Sequence, residues 1–119
     1  MNEARRRWTV RLSAAAESDF THIVEWTVEH FGAAQALVYA ETISLAMAAL
    51  SEGPSITGAR ARHEILKGLY SLHVARQGRK GRHFIMYRLD RCNPDRVIEV
   101  LRVLHDSMDL PRHLDTSDQ

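Results

Sequence analysis

The stretch "RVIEVLRVLHDSMDLPRHL", Arg96–Leu114, decides the fold because it joins a long strand pattern to an abrupt polar ending. Its first part, Arg96–Asp106, is rich in β-branched and aliphatic side chains, which favour a largely buried strand. A short basic helix is predicted over Asp109–Leu114. We expect His105 and Asp109 to close a structural corner, to border a functional surface, or to do both.

Two further strand patterns precede this stretch and extend the same sheet. They cover Leu69–Gln77 and Arg82–Asp90, and the joins "GRKG" and "RCNPD" are short and turn-forming. Short joins of this kind connect antiparallel neighbours, so the three strands form a meander. Near the N-terminus, Arg7–Ser13 alternates apolar and polar residues and is predicted to be a strand. The connection that follows it is long enough for this strand to pair parallel to a later one.

Two helices are predicted between the first strand and the meander. Ser13 is a suitable N-cap, and Gly32 separates the first helix from a second, Ala-rich helix over Ala33–Ser51. Residues with helical spacing define one apolar face on each helix: Ala16, Phe20, Ile23, Val24, Thr27 and Phe31 on the first, and Ala36, Tyr39, Ala40, Ile43, Met47 and Leu50 on the second. We assign Trp26 to the core. Small residues allow close approach, so the helices are expected to pack as a hairpin.

The element order predicts an α+β fold of one domain, residues 1–119. It consists of an N-terminal strand, a helix hairpin, a three-stranded antiparallel meander that completes one four-stranded sheet, and a short C-terminal helix. The connection Ser55–Lys67 is expected to be a loop with a short strand around Ala61–Ile65. Residues 1–6 and 115–119 are expected to be flexible ends.

The composition is that of an ordinary globular protein, with 45% hydrophobic and 26% charged residues. Cys92 is the only cysteine, which excludes a disulfide framework and a thiol metal cluster. No apolar run approaches the roughly 20 residues that a membrane span requires. The basic start is not followed by the apolar segment of a signal peptide. We therefore expect a cytoplasmic protein without a membrane partner.

Charge is distributed unevenly along the chain, although the net charge is only +1. Residues 14–53 contain no Lys or Arg, whereas residues 60–82 contain seven basic residues and a single acidic one, Glu64. A basic surface attracts an acidic protein segment or a nucleic acid, and the alternative is a set of solvated loops. No direct sequence-specific DNA binding is predicted.

Metal and cofactor motifs are missing from the sequence. The histidines do not have a ligand spacing such as HExxH, and no glycine-rich loop carries the Lys-Ser/Thr of a phosphate-binding motif. We therefore expect neither a metal nor a cofactor.

Several segments, taken in order, resemble the ParE/RelE toxins of bacterial type II toxin–antitoxin systems, and the ParE branch in particular. They are "SAAAESDFTHI" (Ser13–Ile23), the Ala-rich second helix, "KGLY" (Lys67–Tyr70), "FIMYR" (Phe84–Arg88) and "VLRVLHDSMDL" (Val100–Leu110). The resemblance implies a toxin that inhibits DNA gyrase and is neutralised by an acidic, ParD-like antitoxin from the same operon. RelE-like relatives instead cut mRNA on the ribosome.

The segment "FIMY" favours the gyrase-binding branch. The nuclease relatives carry an Arg in a strand of the form Arg-Leu-Val-Tyr, and Phe84 stands at that position here. Phenylalanine cannot stabilise the charge of a phosphorane. The alternatives that stay open are a RelE-like mRNA endonuclease and a non-toxic module that only binds an antitoxin.

The candidate site residues follow from these readings. The target-binding surface is predicted at Arg76, Arg88, Arg102, His105, Asp109 and Arg112. An endonuclease would use His105 with Arg102, Arg88 or Arg62, because His can act as acid or base near neutral pH. Antitoxin binding is predicted at Leu37, Leu45, Ala49 and Arg82. The off-stripe apolar residues of the second helix would enter a helix-in-groove or strand-addition interface.

Overall fold

The structure is a computed structural model that describes residues 7–114. It consists of a five-stranded sheet with two helices packed against one face. The elements in chain order are β1 (Thr9–Leu12), α1 (Ala14–Phe31), α2 (Ala33–Ala49), a 3₁₀ turn (Leu50–Glu52), β2 (Arg60–Ala61), β3 (Tyr70–His73), β4 (His83–Leu89), β5 (Val97–His105) and α3 (Leu110–His113). The predicted flexible ends, residues 1–6 and 115–119, lie outside the described residues.

The strands lie in the order β1-β5-β4-β3-β2. β1 pairs parallel with β5, with Val10 opposite Ile98, and the other pairs are antiparallel. The α+β class, the helix hairpin, the meander and the parallel return of the first strand are therefore confirmed. The strand count differs from the prediction, because β2 adds a fifth strand through a two-residue pairing with β3.

Local signals explain most of the boundaries. The Ser13 hydroxyl accepts a hydrogen bond from the Ala16 N–H at 3.0 Å, which is the expected N-cap of α1. Gly32 ends α1 with a φ of +92°, a conformation that suits glycine. β3 ends at His73 rather than Gln77, because Gln77 and Gly78 both have positive φ and turn the chain toward β4.

The main core lies between the helix hairpin and the sheet. Its buried members are Ala16, Ile43, Ala46, Met47, Leu50, Leu72, Val74, Ile85, Tyr87, Ile98, Val100 and Val103. The Tyr87 hydroxyl donates to the Pro54 carbonyl at 2.7 Å, and burial raises the pKa of this tyrosine. The segment Ala33–Glu52 is long and apolar enough to pass a membrane-span test. This differs from the expectation that no apolar run approaches that length. Ile43 and Met47 of α2 are buried against the sheet, whereas apolar residues on its other sides are exposed.

A second, smaller hydrophobic cluster covers part of the opposite face of the sheet, and we call it the outer cluster. Leu69, Met86, Leu104 and Leu110 are buried in it, and Phe84, Leu101 and Ile65 pack against them. A register shift between Met86 and Tyr87 leaves Leu101 as an extra residue in β5. The loop before β3 and the short helix α3 cover part of this face.

Trp26 was predicted to be a core residue, and this prediction is wrong. Its side chain is 52% exposed, whereas the adjacent Thr27 is buried. The buried side of α1 follows Ala16, Phe20, Ile23 and Thr27, which leaves Trp26 turned away from the sheet. The indole stacks on the His30 ring, with centroids 3.9 Å apart.

Candidate functional site

The basic residues of the predicted target surface have different surroundings. Arg88 donates to Glu99 Oε1 at 3.1 Å, within the pair of strands β4 and β5. Arg102 is bound by Asp19 of α1, with 2.8 Å between Nε and Oδ2. Arg76 donates to the Thr57 carbonyl beyond the end of β3, and Arg112 is exposed on α3. Arg88 and Arg102 are thus ion-paired within the fold.

Asp19 is a structural residue that the sequence analysis missed. Its carboxylate also accepts from the Val103 N–H at 2.9 Å, beyond the point where β1 stops covering the edge of β5. The hydrogen bond that Arg102 donates to Asp19 raises the pKa of the Arg102 guanidinium. A signal was available, because position 19 lies on the helical face between Ala16 and Ile23. A carboxylate on an apolar face has to find buried partners.

A first groove runs along α2, and we call it the α2 groove. Its volume is about 420 Å³, and its lining includes two predicted antitoxin contacts, Leu45 and Ala49, with Arg76 and Arg79 opposite them. Arg79 donates to the Thr42 hydroxyl at 2.9 Å and to Glu41 at 3.1 Å. The α2 groove therefore combines apolar helix surface with guanidinium groups at its rim.

A larger groove, of about 1050 Å³, lies between α1, the start of α2, the start of β4 and the end of β5. We call it the histidine groove, and its lining includes Trp26, Phe31, Tyr39, Lys80, Arg82, His83, His105 and Met108. Gly81 forms part of the lining at a point where little space is left. A Cβ there would lie 2.4 Å from Val74 Cγ2 and 3.1 Å from the Tyr39 ring.

Tyr39 and His83 form a hydrogen-bonded pair at the polar end of the histidine groove. The Arg82 N–H donates to the Tyr39 hydroxyl at 2.9 Å, and the same hydroxyl lies 2.7 Å from His83 Nδ1, at hydrogen-bond distance. Burial, with a smaller effect of the neighbouring His105, lowers the pKa of His83 to about 4. His83 is therefore neutral at pH 7.

His105 and Asp106 complete this end of the groove. The Ser107 N–H donates to His105 Nδ1 at 3.1 Å, so a neutral His105 carries its proton on Nε2. Hydrogen bonds from Arg82 and His73 lower the pKa of Asp106 to about 2. His105 thus holds the turn after β5, which is the structural role at a corner that the sequence analysis gave as one possibility. Asp109 occupies the N-cap position of α3, but its side chain forms no capping hydrogen bond there.

The side chains that an endonuclease would use take part in separate interactions within the fold. Arg62 donates to the Ser71 hydroxyl at 2.9 Å and places its guanidinium 5.2 Å from the centre of the Phe84 ring. Arg88 and Arg102 are in the ion pairs described above. His105 faces His83 instead, with ring centroids 5.2 Å apart. Within residues 7–114, no group of three or more His, Cys, Asp or Glu side chains is arranged to hold a metal ion.

Comparisons with known proteins identify the family. The sequence model of the ParE toxin of type II toxin–antitoxin systems, parDE, matches residues 10–110. Among curated proteins, none has a sequence that matches this chain.

Solved structures of toxin–antitoxin proteins share the fold. A chain of the chromosomal ParDE system from P. aeruginosa superimposes with a TM-score of 0.66 at 16% identity, covering 82% of this chain and 95% of that one. A chain of the RelBE2 toxin–antitoxin complex from Mycobacterium tuberculosis gives 0.54 at 22% identity, with coverage of 83% and 98%. The YoeB/ParE toxin from Agrobacterium tumefaciens gives 0.55 at 13% identity, with coverage of 82% and 96%. The chain belongs to the ParE toxin family of type II toxin–antitoxin systems.

Proposed function

We propose that this toxin inhibits DNA gyrase by binding to it in the cytoplasm, without catalysing a reaction of its own. Its antitoxin is an acidic, ParD-like protein that folds on the toxin surface. The target surface includes Arg76, Arg88, Arg102, His105, Asp109 and Arg112. The antitoxin contacts include Leu37, Leu45, Ala49 and Arg82, of which Leu37 is 73% exposed and Leu45 49% exposed.

The observation that carries this proposal is the state of the cationic side chains. Cleavage of RNA without a metal requires positive groups that are free to stabilise a phosphorane. Arg88 and Arg102 are bound by carboxylates of the same chain, and Phe84 belongs to the outer cluster. These features favour a binding function over phosphodiester cleavage.

An mRNA endonuclease is the second candidate, and one observation favours it. His83 and His105 lie side by side beside the exposed Arg82, and both imidazoles border the histidine groove. Paired imidazoles next to a guanidinium are suited to acid–base chemistry on a phosphate. The third candidate is a module that binds an antitoxin without being toxic. It predicts that neither DNA synthesis nor protein synthesis is affected.

Pulse labelling after induction of the toxin without its partner separates the three candidates. For a gyrase inhibitor, thymidine incorporation falls within minutes while amino-acid incorporation persists. An earlier fall in amino-acid incorporation would contradict the proposal and support the endonuclease. If neither falls while folded protein accumulates, the chain is a binding module.

A supercoiling assay with purified gyrase then tests the target surface. Arg112→Glu should raise the toxin concentration needed for half-inhibition about tenfold, because it reverses an exposed charge on that surface. Lys67→Glu makes the same change in net charge on the loop before β3 and serves as the matched control. Equal inhibition by both variants and the wild-type chain would remove Arg112 from the surface.

A further inference from the structure

The histidine groove contains a contiguous set of exposed apolar side chains. Trp26, Phe31 and Met108 are 52%, 65% and 41% exposed, and all three line this groove. Val28 is 44% exposed on α1 as well, but it does not belong to the lining. Exposed apolar surface collected in one groove indicates a site of protein–protein contact.

Charge in this groove has one sign. Lys80 and Arg82 contribute side chains to the lining, and none of the described lining residues is an Asp or Glu. The Asp106 carboxylate follows His105 in the chain, and it is already bound by Arg82 and His73. An occupant with negative charge is therefore complementary to the groove.

The polar end of the groove offers hydrogen-bond donors. The Ser107 N–H donates to Nδ1 of His105, so this ring presents an N–H at Nε2. Nδ1 of His83 is engaged by the Tyr39 hydroxyl, so Nε2 is the remaining polar atom of that ring. Nε2 of His83 and Nε2 of His105 form no hydrogen bond within the described part of the chain. In the same residues, no fully buried side-chain nitrogen lacks a hydrogen-bond partner, so neither Nε2 is fully buried. Both Nε2 atoms therefore keep some exposure and remain available for a hydrogen bond with an occupant of the groove.

We propose that the histidine groove docks an acidic amphipathic segment of the antitoxin, with a carboxylate of that segment anchored by Lys80 and by the Nε2 N–H of His105. Large apolar side chains of the same segment contact Trp26, Phe31 and Met108. The identity of the partner rests on the proposed function. A carboxylate is the matching group because an ionised carboxylate only accepts hydrogen bonds.

Such an occupant also explains how neutralisation works. It would cover His105, which belongs to the proposed target surface, together with Arg82, which belongs to the proposed antitoxin contacts. Antitoxin and target would then compete for the same surface. The partner is a protein rather than a nucleic acid, because apolar residues form much of the lining and Arg82 is already paired with Asp106. In addition, His30 covers one face of the Trp26 ring, which leaves less aromatic surface for base stacking.

The test uses the full toxin and the protein encoded by the neighbouring gene of its operon, with dissociation constants measured by calorimetry. Trp26→Ala removes the exposed indole, and Val28→Ala is its control on the same helix outside the groove. Lys80→Glu reverses the charge at the anchor, and Lys67→Glu is its control. All four positions are exposed or half-exposed, so thermal unfolding should verify that each variant keeps its fold.

Each groove variant should weaken binding at least tenfold, as expected of an aromatic anchor and a charge reversal at a complementary site, and each control should stay within twofold. Groove variants that bind as tightly as the wild-type chain would overturn this inference and leave the proposed function standing. If the wild-type toxin does not bind the neighbouring gene product at all, the proposed function fails and the inference fails with it.

Discussion

The Asp19 carboxylate holds the first turns of α1 against β5, where β1 no longer covers the strand edge. It accepts hydrogen bonds from Arg102 and from the Val103 N–H, and it is only 14% exposed. Asp19→Ala should lower the free energy of unfolding by about 2 kcal/mol, because a half-buried guanidinium and an edge N–H lose an acceptor. Urea denaturation measured by circular dichroism checks this value.

Glu25→Ala is the matched control for Asp19→Ala. Glu25 is also an acidic residue of α1, but it is exposed, so its removal should change the free energy of unfolding by no more than about 0.5 kcal/mol. Similar losses in the two variants would mean that the link between α1 and β5 contributes nothing specific.

At the scale of an element, α3 owes its position to the outer cluster. A helix of four residues is too short to be stable by itself, and Leu110 attaches it to Leu69, Met86 and Leu104. Leu110→Ala should therefore lower the free energy of unfolding by about 2 kcal/mol, the lower end of the range for a buried leucine, because the site lies at the periphery. Chemical denaturation measures the loss.

Arg112→Ala, on the exposed side of α3, is the control and should stay within about 0.5 kcal/mol of the wild-type chain. A Leu110→Ala variant with wild-type stability would show that α3 is not held by this cluster. The outer cluster would then be limited to the residues of the sheet and of the loop before β3.

The elements differ in how much of them the sequence could predict. The helical spacing of apolar residues in α1, the Ala-rich composition of α2 and the aliphatic and aromatic runs of β4 and β5 made their existence and order predictable. β2 was placed too late in the loop, because its two residues are extended only through pairing with the edge of β3. Trp26 was misplaced because the apolar residues of α1 spread wider than the face that the sheet covers.

The candidate site was less predictable than the fold for a related reason. Arg102 and Asp19 are separated by 83 positions, and no local pattern indicates that they meet. Likewise, Tyr39 and His83 are separated by 44 positions, and the histidine groove exists only once the helix hairpin packs beside β4. Sequence reasoning identified His105 and Arg82 separately, and the fold placed both at the same groove.

At the scale of the whole molecule, ion pairs formed on folding neutralise part of the charge that is separated along the chain. The acidic helix hairpin binds two basic residues of the meander, through the pairs Arg79–Glu41 and Arg102–Asp19. Lys80 and Arg82 remain at the histidine groove, with Arg82 shared with Asp106. Ion pairing within the fold therefore reduces the positive charge that is available to partners.

The stability of the whole molecule should fall as the pH is lowered from neutrality. The pKa of His83 is about 4 in the folded chain, against 6.5 for an ordinary histidine. Between these values the unfolded chain binds a proton that the folded chain does not, so acid favours unfolding. Asp106 adds a second decrease at lower pH, since its pKa falls from 3.8 to about 2 on folding.

Denaturation midpoints measured from pH 7.5 to pH 3 test this assignment, with His83→Gln as the variant. Glutamine does not titrate, and its side-chain amide can both donate to and accept from the Tyr39 hydroxyl, which contacts Nδ1 of His83 in the wild-type chain. The variant should lose the decrease between pH 6.5 and 4 and keep the decrease that belongs to Asp106 below pH 4. If the midpoints of the wild-type chain and the variant fall by the same amount between pH 6.5 and 4, burial does not hold His83 neutral in this range. The His83 imidazole at the groove would then carry a charge in acid.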